Sequence, residues 1–290
     1  MRGTMEYTIL ENKRVQGDYF KLALEIPGNA PVPVPGQFYN IRCSEGTDPL
    51  LRRPLSVHRI VEGKGSLHVE ILYRVIGKGT QWISNREKGQ TLDTLGPLGN
   101  GFILDPGVNY VVLVAGGIGI APLYALGDLV RRAIPEATIS IVLGVRNRAE
   151  NFYEEECRGL GEVFVATDDG SHGFKGTAVG LLTHMLDENR ISGSASFFGC
   201  GPKAMLRDLA RISETHALSV QVTLEENMGC GFGVCLSCAL PLRPDRVRKD
   251  SQWPKSFLQH DEEGKILYSL VCKDGPVYDI KEVDWDEWLA

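Results

Sequence analysis

The sequence predicts two architectures in series, a β-rich barrel or sandwich and then a parallel-sheet α/β domain, closed by a small cysteine-bearing unit. Three observations predict this. Short β-branched or alternating runs, punctuated by Pro and Gly, fill residues up to about 104. Continuous apolar runs alternating with helical stretches follow, the pattern of a sheet with helices on its faces. Four of the seven cysteines then gather near the C-terminus: Cys230, Cys235, Cys238 and Cys272. The boundaries are placed at 1–104, 105–222 and 223–290.

In the first part the runs 19–26, 37–42 and 66–73 read as strands, with turns at 31–36 and 63–65. Arg52-Arg53-Pro54-Leu55-Ser56 follows a strand. An arginine fork there matches a pyrophosphate, and the serine hydroxyl can serve a flavin ring nitrogen. A basic pair before proline is also an ordinary solvated loop. Tyr73-Arg74-Val75-Ile76-Gly77-Lys78-Gly79-Thr80 reads as a phosphate-cradling turn at a helix start, with Thr80 as cap.

In the second part 110–115, 138–143, 162–166 and 195–198 read as buried strands, and 123–133, 177–188 and 203–215 as helices. Gly116-Gly117-Ile118-Gly119-Ile120-Ala121-Pro122 joins the first strand to the first helix. That is the setting in which backbone N–H groups receive a dinucleotide pyrophosphate, although the spacing departs from the strict G-x-G-x-x-G fingerprint. Gly199-Cys200-Gly201-Pro202 follows the fourth run, which sets Cys200 at the ligand crevice or makes it a small buried residue in a tight turn. Arg146 and Arg148, after the second strand, could accept the 2′-phosphate of NADP.

In the third part Cys230, Cys235 and Cys238 follow the C-x4-C-x2-C spacing of a plant-type 2Fe–2S loop, with Cys272 as the fourth ligand. Gly229, Gly231 and Gly233 let the backbone approach the sulfurs. A structural zinc site is the alternative use of these thiols, but it favours paired short knuckles. An odd cysteine count argues against a disulfide framework. Cys43 and Cys157 read as inert thiols.

The bulk properties narrow the function. The chain has 290 residues, is 43% hydrophobic and carries a net charge of −6, which gives no footprint for nucleic acid. The longest uncharged apolar stretch, 110–126, is broken by Gly116, Gly117, Gly119 and Pro122 and reads as strand, turn and helix start rather than a membrane span. The first residues lack the apolar core of a secretory signal, and iron-binding thiols favour a reducing compartment, so a cytoplasmic location is expected.

In this order the motifs resemble the ferredoxin-reductase-like flavoproteins, and among them the electron-transfer subunits of type B dihydroorotate dehydrogenases. The resemblance runs from about residue 6 to 283, including 225–230 and 272–277. It implies an FAD-binding antiparallel barrel in which Arg53 holds the pyrophosphate and Ser56 meets the flavin. Pro54, Leu55, Tyr73, Gly77, Gly79 and Thr80 would complete that site. It implies an NAD site at Gly117, Gly119 and Pro122, with Cys200 and Gly201 near the nicotinamide, and a 2Fe–2S cluster on Cys230, Cys235, Cys238 and Cys272. It also implies an FMN-containing dihydroorotate dehydrogenase catalytic subunit as partner, in a heterotetramer, with electrons passing from FMN through the cluster and FAD to NAD. No catalytic acid or base is expected. Related subunits of NADH-dependent ferredoxin:NADP reductases or sulfide dehydrogenases are the competing assignment. Thirty-three residues separate Cys238 from Cys272, longer than the resemblance implies. That segment, with Arg243, Arg246, Arg248, Lys249, Trp253, Lys255 and Phe257, reads as a solvated loop or a partner-touching hairpin, and Trp285 and Trp288 read as a docking patch.

Overall fold

The computed structural model describes residues 5–63, 66–105, 107–191, 194–247, 259–261 and 263–290. Seven strands open the chain: β1 (Met5–Gln16), β2 (Tyr19–Glu25), β3 (Phe38–Ile41), β4 (Arg53–Ser56), β5 (Arg59–Glu62), β6 (Leu67–Arg74) and β7 (Thr91–Leu98), with helix α1 (Lys78–Ser84) before β7. They form one antiparallel sheet in the order β4-β3-β7-β1-β2-β6-β5. Its edge strands β4 and β5 are consecutive in the chain, joined through Val57 and His58, and His58 N donates to Glu70 O of β6 at 2.9 Å. The sheet therefore curls until one bent segment serves both edges, as the barrel expectation required. Tyr7, Ile9, Leu22, Leu24, Tyr39, Ile41, Val69, Ile71 and Tyr73 fill its interior, the alternation that a sheet with one buried face demands.

The next strands are β8 (Tyr110–Gly116), β9 (Thr138–Val145), β10 (Glu162–Thr167), β11 (Phe174–Lys175), β12 (Ser196–Cys200) and β13 (Ser219–Thr223). The helices among them are α2 (Ile120–Ala133), α3 (Glu154–Arg158), α4 (Ala178–Asp187) and α5 (Lys203–Thr215). The C-terminal part adds β14 (Ala239–Leu242), β15 (Gln259–His260), β16 (Leu267–Leu270), α6 (Val271–Asp274), β17 (Val277–Asp279) and α7 (Trp285–Leu289).

The second sheet runs β11-β10-β9-β8-β12-β13-β17, parallel from β11 to β13. Its continuous apolar strands are explained by two covered faces. On β8, Val111 and Leu113 pack with Leu123, Leu126 and Val130 of α2, while Val112 and Val114 pack with Leu182 and Met185 of α4 and Leu209 of α5. Each such buried aliphatic side chain contributes about 1.5–3 kcal/mol. β17 pairs antiparallel with β13, so the chain returns to this sheet after the cysteines. The cysteine unit holds a small sheet, β14-β16-β15, with Cys272 on α6.

Among the side chains that join the first sheet to the second domain, Gln16 and Tyr19 included, one is fully buried. His58 is buried; its Nδ1 donates to Ala121 O in α2 at 2.9 Å, and its Nε2 accepts from the Tyr153 hydroxyl. Burial, first of all, pushes its pKa down to about 4, so it stays neutral.

The tail tryptophans turn inward, correcting the expectation of an exposed patch. Trp285 is buried and donates from Nε1 to Ile280 O at 2.9 Å, and Trp288 packs on Lys203. Arg243 bonds through its backbone N to Glu282 O. Arg248, Lys249, Trp253, Lys255 and Phe257 lie outside the described residues.

Candidate functional site

Two adjoining cavities lie where the barrel, the parallel sheet and the cysteine loop meet. The larger, about 1000 Å3, is lined by Arg53, Pro54, Leu55, Ser56, Tyr73 and Thr80 of the barrel, by Pro122 of α2, and by Cys235 and Ser237 of the cysteine loop. The smaller, about 510 Å3, is lined by Gly116, Gly117, Ile118 and Gly119, by Gly201 and Lys203, and by Arg146 and Asp168. Arg74, Ile118, Lys203 and Glu225 border both, so the two form one cleft.

In the larger cavity β4 aims the Arg53-Pro54-Leu55-Ser56 run at the cleft. The Arg53 guanidinium is steadied by the carbonyls of Leu51 at 2.7 Å and Arg52 at 3.2 Å. Gly79 makes room for it, since a Cβ there would fall 2.7 Å from Arg53 Nε. Gly77 caps α1, and Thr80 stands in the first turn rather than at the cap position: its Oγ1 accepts from Ile76 N at 3.0 Å and Gly77 N at 3.3 Å. Tyr73 is buried and donates to Asn12 Oδ1 at 3.0 Å, which fixes its ring. An arginine fork beside a slot walled by Tyr73, Leu55 and Pro54 fits a dinucleotide with a flat ring.

In the smaller cavity the turn from β8 into α2 is tight because glycine lets it be. Gly117 has φ +53, and a Cβ on Gly119 would collide with the carbonyl oxygen of Cys200. The turn leads into the 14-residue α2, the setting for anion binding by backbone N–H groups. Pro122 opens onto the larger cavity instead. Cys200 is buried behind the turn, its thiol pushed well up by desolvation, and it is not among the described residues lining either cavity. Arg146 pairs with Glu150 at 3.9 Å on the cavity wall.

The four clustered cysteines stand as two pairs. Cys230 and Cys235 face each other: Cys235 N donates to Cys230 Sγ at 3.5 Å, and Cys230 N to Cys235 Sγ at 3.4 Å. Cys238 is approached by Cys272 N at 3.5 Å. Hydrogen bonds from Ser237 hold the Cys235 thiol down to about 6, and a hydrogen bond from the Cys272 thiol holds Cys238 down to about 7. Cys272 is pushed up, first by that thiol–thiol bond and then by burial. The metal-binding form of cysteine is the thiolate, and two pairs of thiolates suit two irons. Among the described residues no three His, Cys, Asp or Glu converge on a single ion.

Residues 113–211 match the family described as Oxidoreductase NAD-binding domain. The chain is 34% identical over 287 residues to the dihydroorotate dehydrogenase B (NAD(+)) electron transfer subunit of Desulforamulus reducens, covering 99% of this chain and 100% of the relative. It is 38% identical over 283 residues to that of Caldanaerobacter subterraneus, covering 98% and 99%. The chain belongs to this family of electron transfer subunits. Among solved structures, an NADH-dependent reduced ferredoxin-NADP oxidoreductase chain aligns over 100% of this chain and 93% of its own, with TM-score 0.78 and 27% identity. A ferredoxin NADP+ reductase from Neisseria gonorrhoeae shares the fold, with TM-score 0.62 and 19% identity over 74% of this chain and 92% of its own.

For this electron transfer subunit, four site residues escape sequence reasoning. Glu225 opens onto both cavities and is exposed to the cleft, with enough protein around it for desolvation to raise its carboxyl pKa. Lys203 pairs with Glu226 at 2.5 Å and lies 4.1 Å from the Trp288 ring centre, while Trp288 Nε1 donates to Glu226 Oε1 at 2.5 Å. Trp288 thereby becomes a wall of the smaller cavity. The local signals are the position of Lys203, directly after Gly199-Cys200-Gly201-Pro202, and that of Glu225 and Glu226 at the start of the 225–230 stretch, while the sequence assigns Trp288 to a docking patch.

Proposed function

We propose that this chain is the electron-transfer subunit of a type B dihydroorotate dehydrogenase, carrying electrons from an FMN-containing catalytic subunit to NAD in pyrimidine biosynthesis. The observation that carries the reading is the single cleft: the barrel motif, the glycine turn and the cysteine loop all border it. Full-length relatives at 34–38% identity favour it over the ferredoxin-NADP oxidoreductase type, which matches at 27%.

A bound flavin supplies the exchange between one-electron carriers and the two-electron nicotinamide. In this reading Arg53 holds the FAD pyrophosphate, Ser56 hydrogen-bonds the ring, and Pro54, Leu55, Tyr73 and Thr80 shape the slot. Gly77 and Gly79 shape the turn beneath Arg53. Gly117, Gly119 and Gly201 admit the nucleotide backbone close to the sheet, with Pro122 at the junction and Cys200 supporting from behind. Cys230 with Cys235, and Cys238 with Cys272, hold the 2Fe–2S cluster. Glu150 and Asp168 beside Arg146 support NAD over NADP, because carboxylates suit a ribose hydroxyl and repel a 2′-phosphate.

No helix among the described residues is long and apolar enough to cross a membrane. Thiols that must stay reduced to hold iron support a cytoplasmic place. The test is anaerobic purification with the co-purifying partner and absorption spectra. Flavin and iron–sulfur bands that bleach with both NADH and dihydroorotate are expected. Bleaching by NADH alone would transfer the chain to the ferredoxin-NADP oxidoreductase type.

A further inference from the structure

The inference rests on the cluster assignment proposed above and concerns Asn40, which no motif singles out. Asn40 lies on β3, whose Tyr39 and Ile41 fill the barrel interior. By alternation Asn40 and Phe38 point the other way, and Phe38 packs in the core that contains Leu98, Cys238 and Cys272. Asn40 is 0% exposed, and among the described residues neither its Oδ1 nor its Nδ2 has a hydrogen-bond partner. Native proteins seldom bury both ends of an amide unpaired, so such a group signals a ligand.

The side chain abuts the ligand loop. A Cβ on Gly231, the residue after Cys230, would fall 2.6 Å from Asn40 Nδ2, and Gly231 has φ +81. Gly231 is thus glycine for two reasons, the left-handed backbone and the approach of this amide. Across β3, Asn40 stands opposite Pro54 of the Arg53–Ser56 strand. It is not among the described residues lining the flavin cavity. The amide is therefore wedged between the flavin strand and the cysteine loop, and it faces the loop.

We propose that Asn40 donates a hydrogen bond from Nδ2 to a sulfur of the bound cluster and thereby raises its reduction potential. A donor favours the reduced cluster, which carries one more negative charge, and hydrogen bonds to the sulfurs are one of the levers that set such potentials.

The test is an EPR-monitored redox titration of the holoprotein, wild type against Asn40→Leu, a change similar in size that removes the donor. The cluster's one-electron reduction equilibrium should fall about tenfold, which is 59 mV, while the flavin potential stays put. A loaded variant with an unmoved cluster potential, or with only the flavin shifted, overturns the proposal. Wild-type protein carrying 15N only in asparagine side chains gives a readout that needs no variant to fold. The reduced cluster should show a weakly coupled nitrogen by pulsed EPR, and the coupling should survive in Asn227→Ser. No such coupling overturns the proposal, whatever the Leu variant does. A wild-type protein that shows no iron–sulfur signal would instead sink the cluster assignment itself.

Discussion

The glycine turn at 116–119 and the cysteine loop at 230–238 border the same cleft but are built differently. The turn is pressed from behind: Gly119 has no room for a Cβ against Cys200, and the strands on either side are buried. The loop is tied mainly by its own polar atoms. Val234 N donates to Cys230 Sγ at 3.3 Å and Gly229 N to Ser237 Oγ at 3.0 Å, while Phe232, Val234 and Leu236 stand 54%, 69% and 46% exposed. One site folds with the hydrophobic core; the other is shaped around its thiols and leaves its apolar side chains outward. Damage to the first should spread through the domain, whereas damage to the second should stay local.

The largest expected effect is at Gly119→Val. The side chain meets backbone that cannot yield, so NADH affinity should be lost in calorimetry and stability should fall by about 3 kcal/mol in denaturant titration. Unchanged stability would erase the contrast. Next is acid. His58 has its pKa lowered to about 4 against an ordinary 6.5, so between those values the unfolded chain binds more protons. The stability from neutral His58 is full above pH 6.5 and is lost as pH falls toward 4, by roughly 3 kcal/mol in all. Hydrogen exchange across that range should loosen the start of α2, which His58 holds through Ala121, before the cysteine loop; the reverse order would contradict the picture.

Arg53→Ala should weaken FAD retention by about 1.5–3 kcal/mol, the worth of a charged hydrogen bond, read as flavin lost on gel filtration. Cys235→Ser should abolish electron transfer from the partner yet move global stability by less than about 1 kcal/mol, because Cys235 is exposed. The smallest effect is at Ser237→Ala. In metal-free protein the Cys235 thiol should rise above about 6, read from the pH dependence of alkylation, with the cysteine loop loosened where Ser237 Oγ held Gly229 N and Asn227 O but the two sheets untouched.

What could be read from the sequence follows the same division. The cysteine spacing, the Gly-Gly-x-Gly turn and the four buried strands are local patterns, and each stands where the chain order implied. The helix expected from 123 begins at Ile120, since Pro122 is tolerated in a first turn. Trp288 and Glu226 meet across 62 positions, His58 and Tyr153 across 95, and Asn40 meets Gly231 from another domain; no window along the chain contains such pairs. The direction of the tail was missed for the same reason. Aromatic residues near a terminus look alike whether they await a partner or fold back onto a lysine.

The return of the chain to the parallel sheet at β17 has a mechanical consequence. The cysteine unit leaves from β13 and comes back beside it, with Thr223 opposite Val277, so both ends of the excursion are stitched to the same sheet. An electron carrier slung on a single tether must swing to make its delivery, and thicker solvent slows it. This one is riveted at both feet, so transfer within the subunit should proceed at the same rate in glycerol as in water.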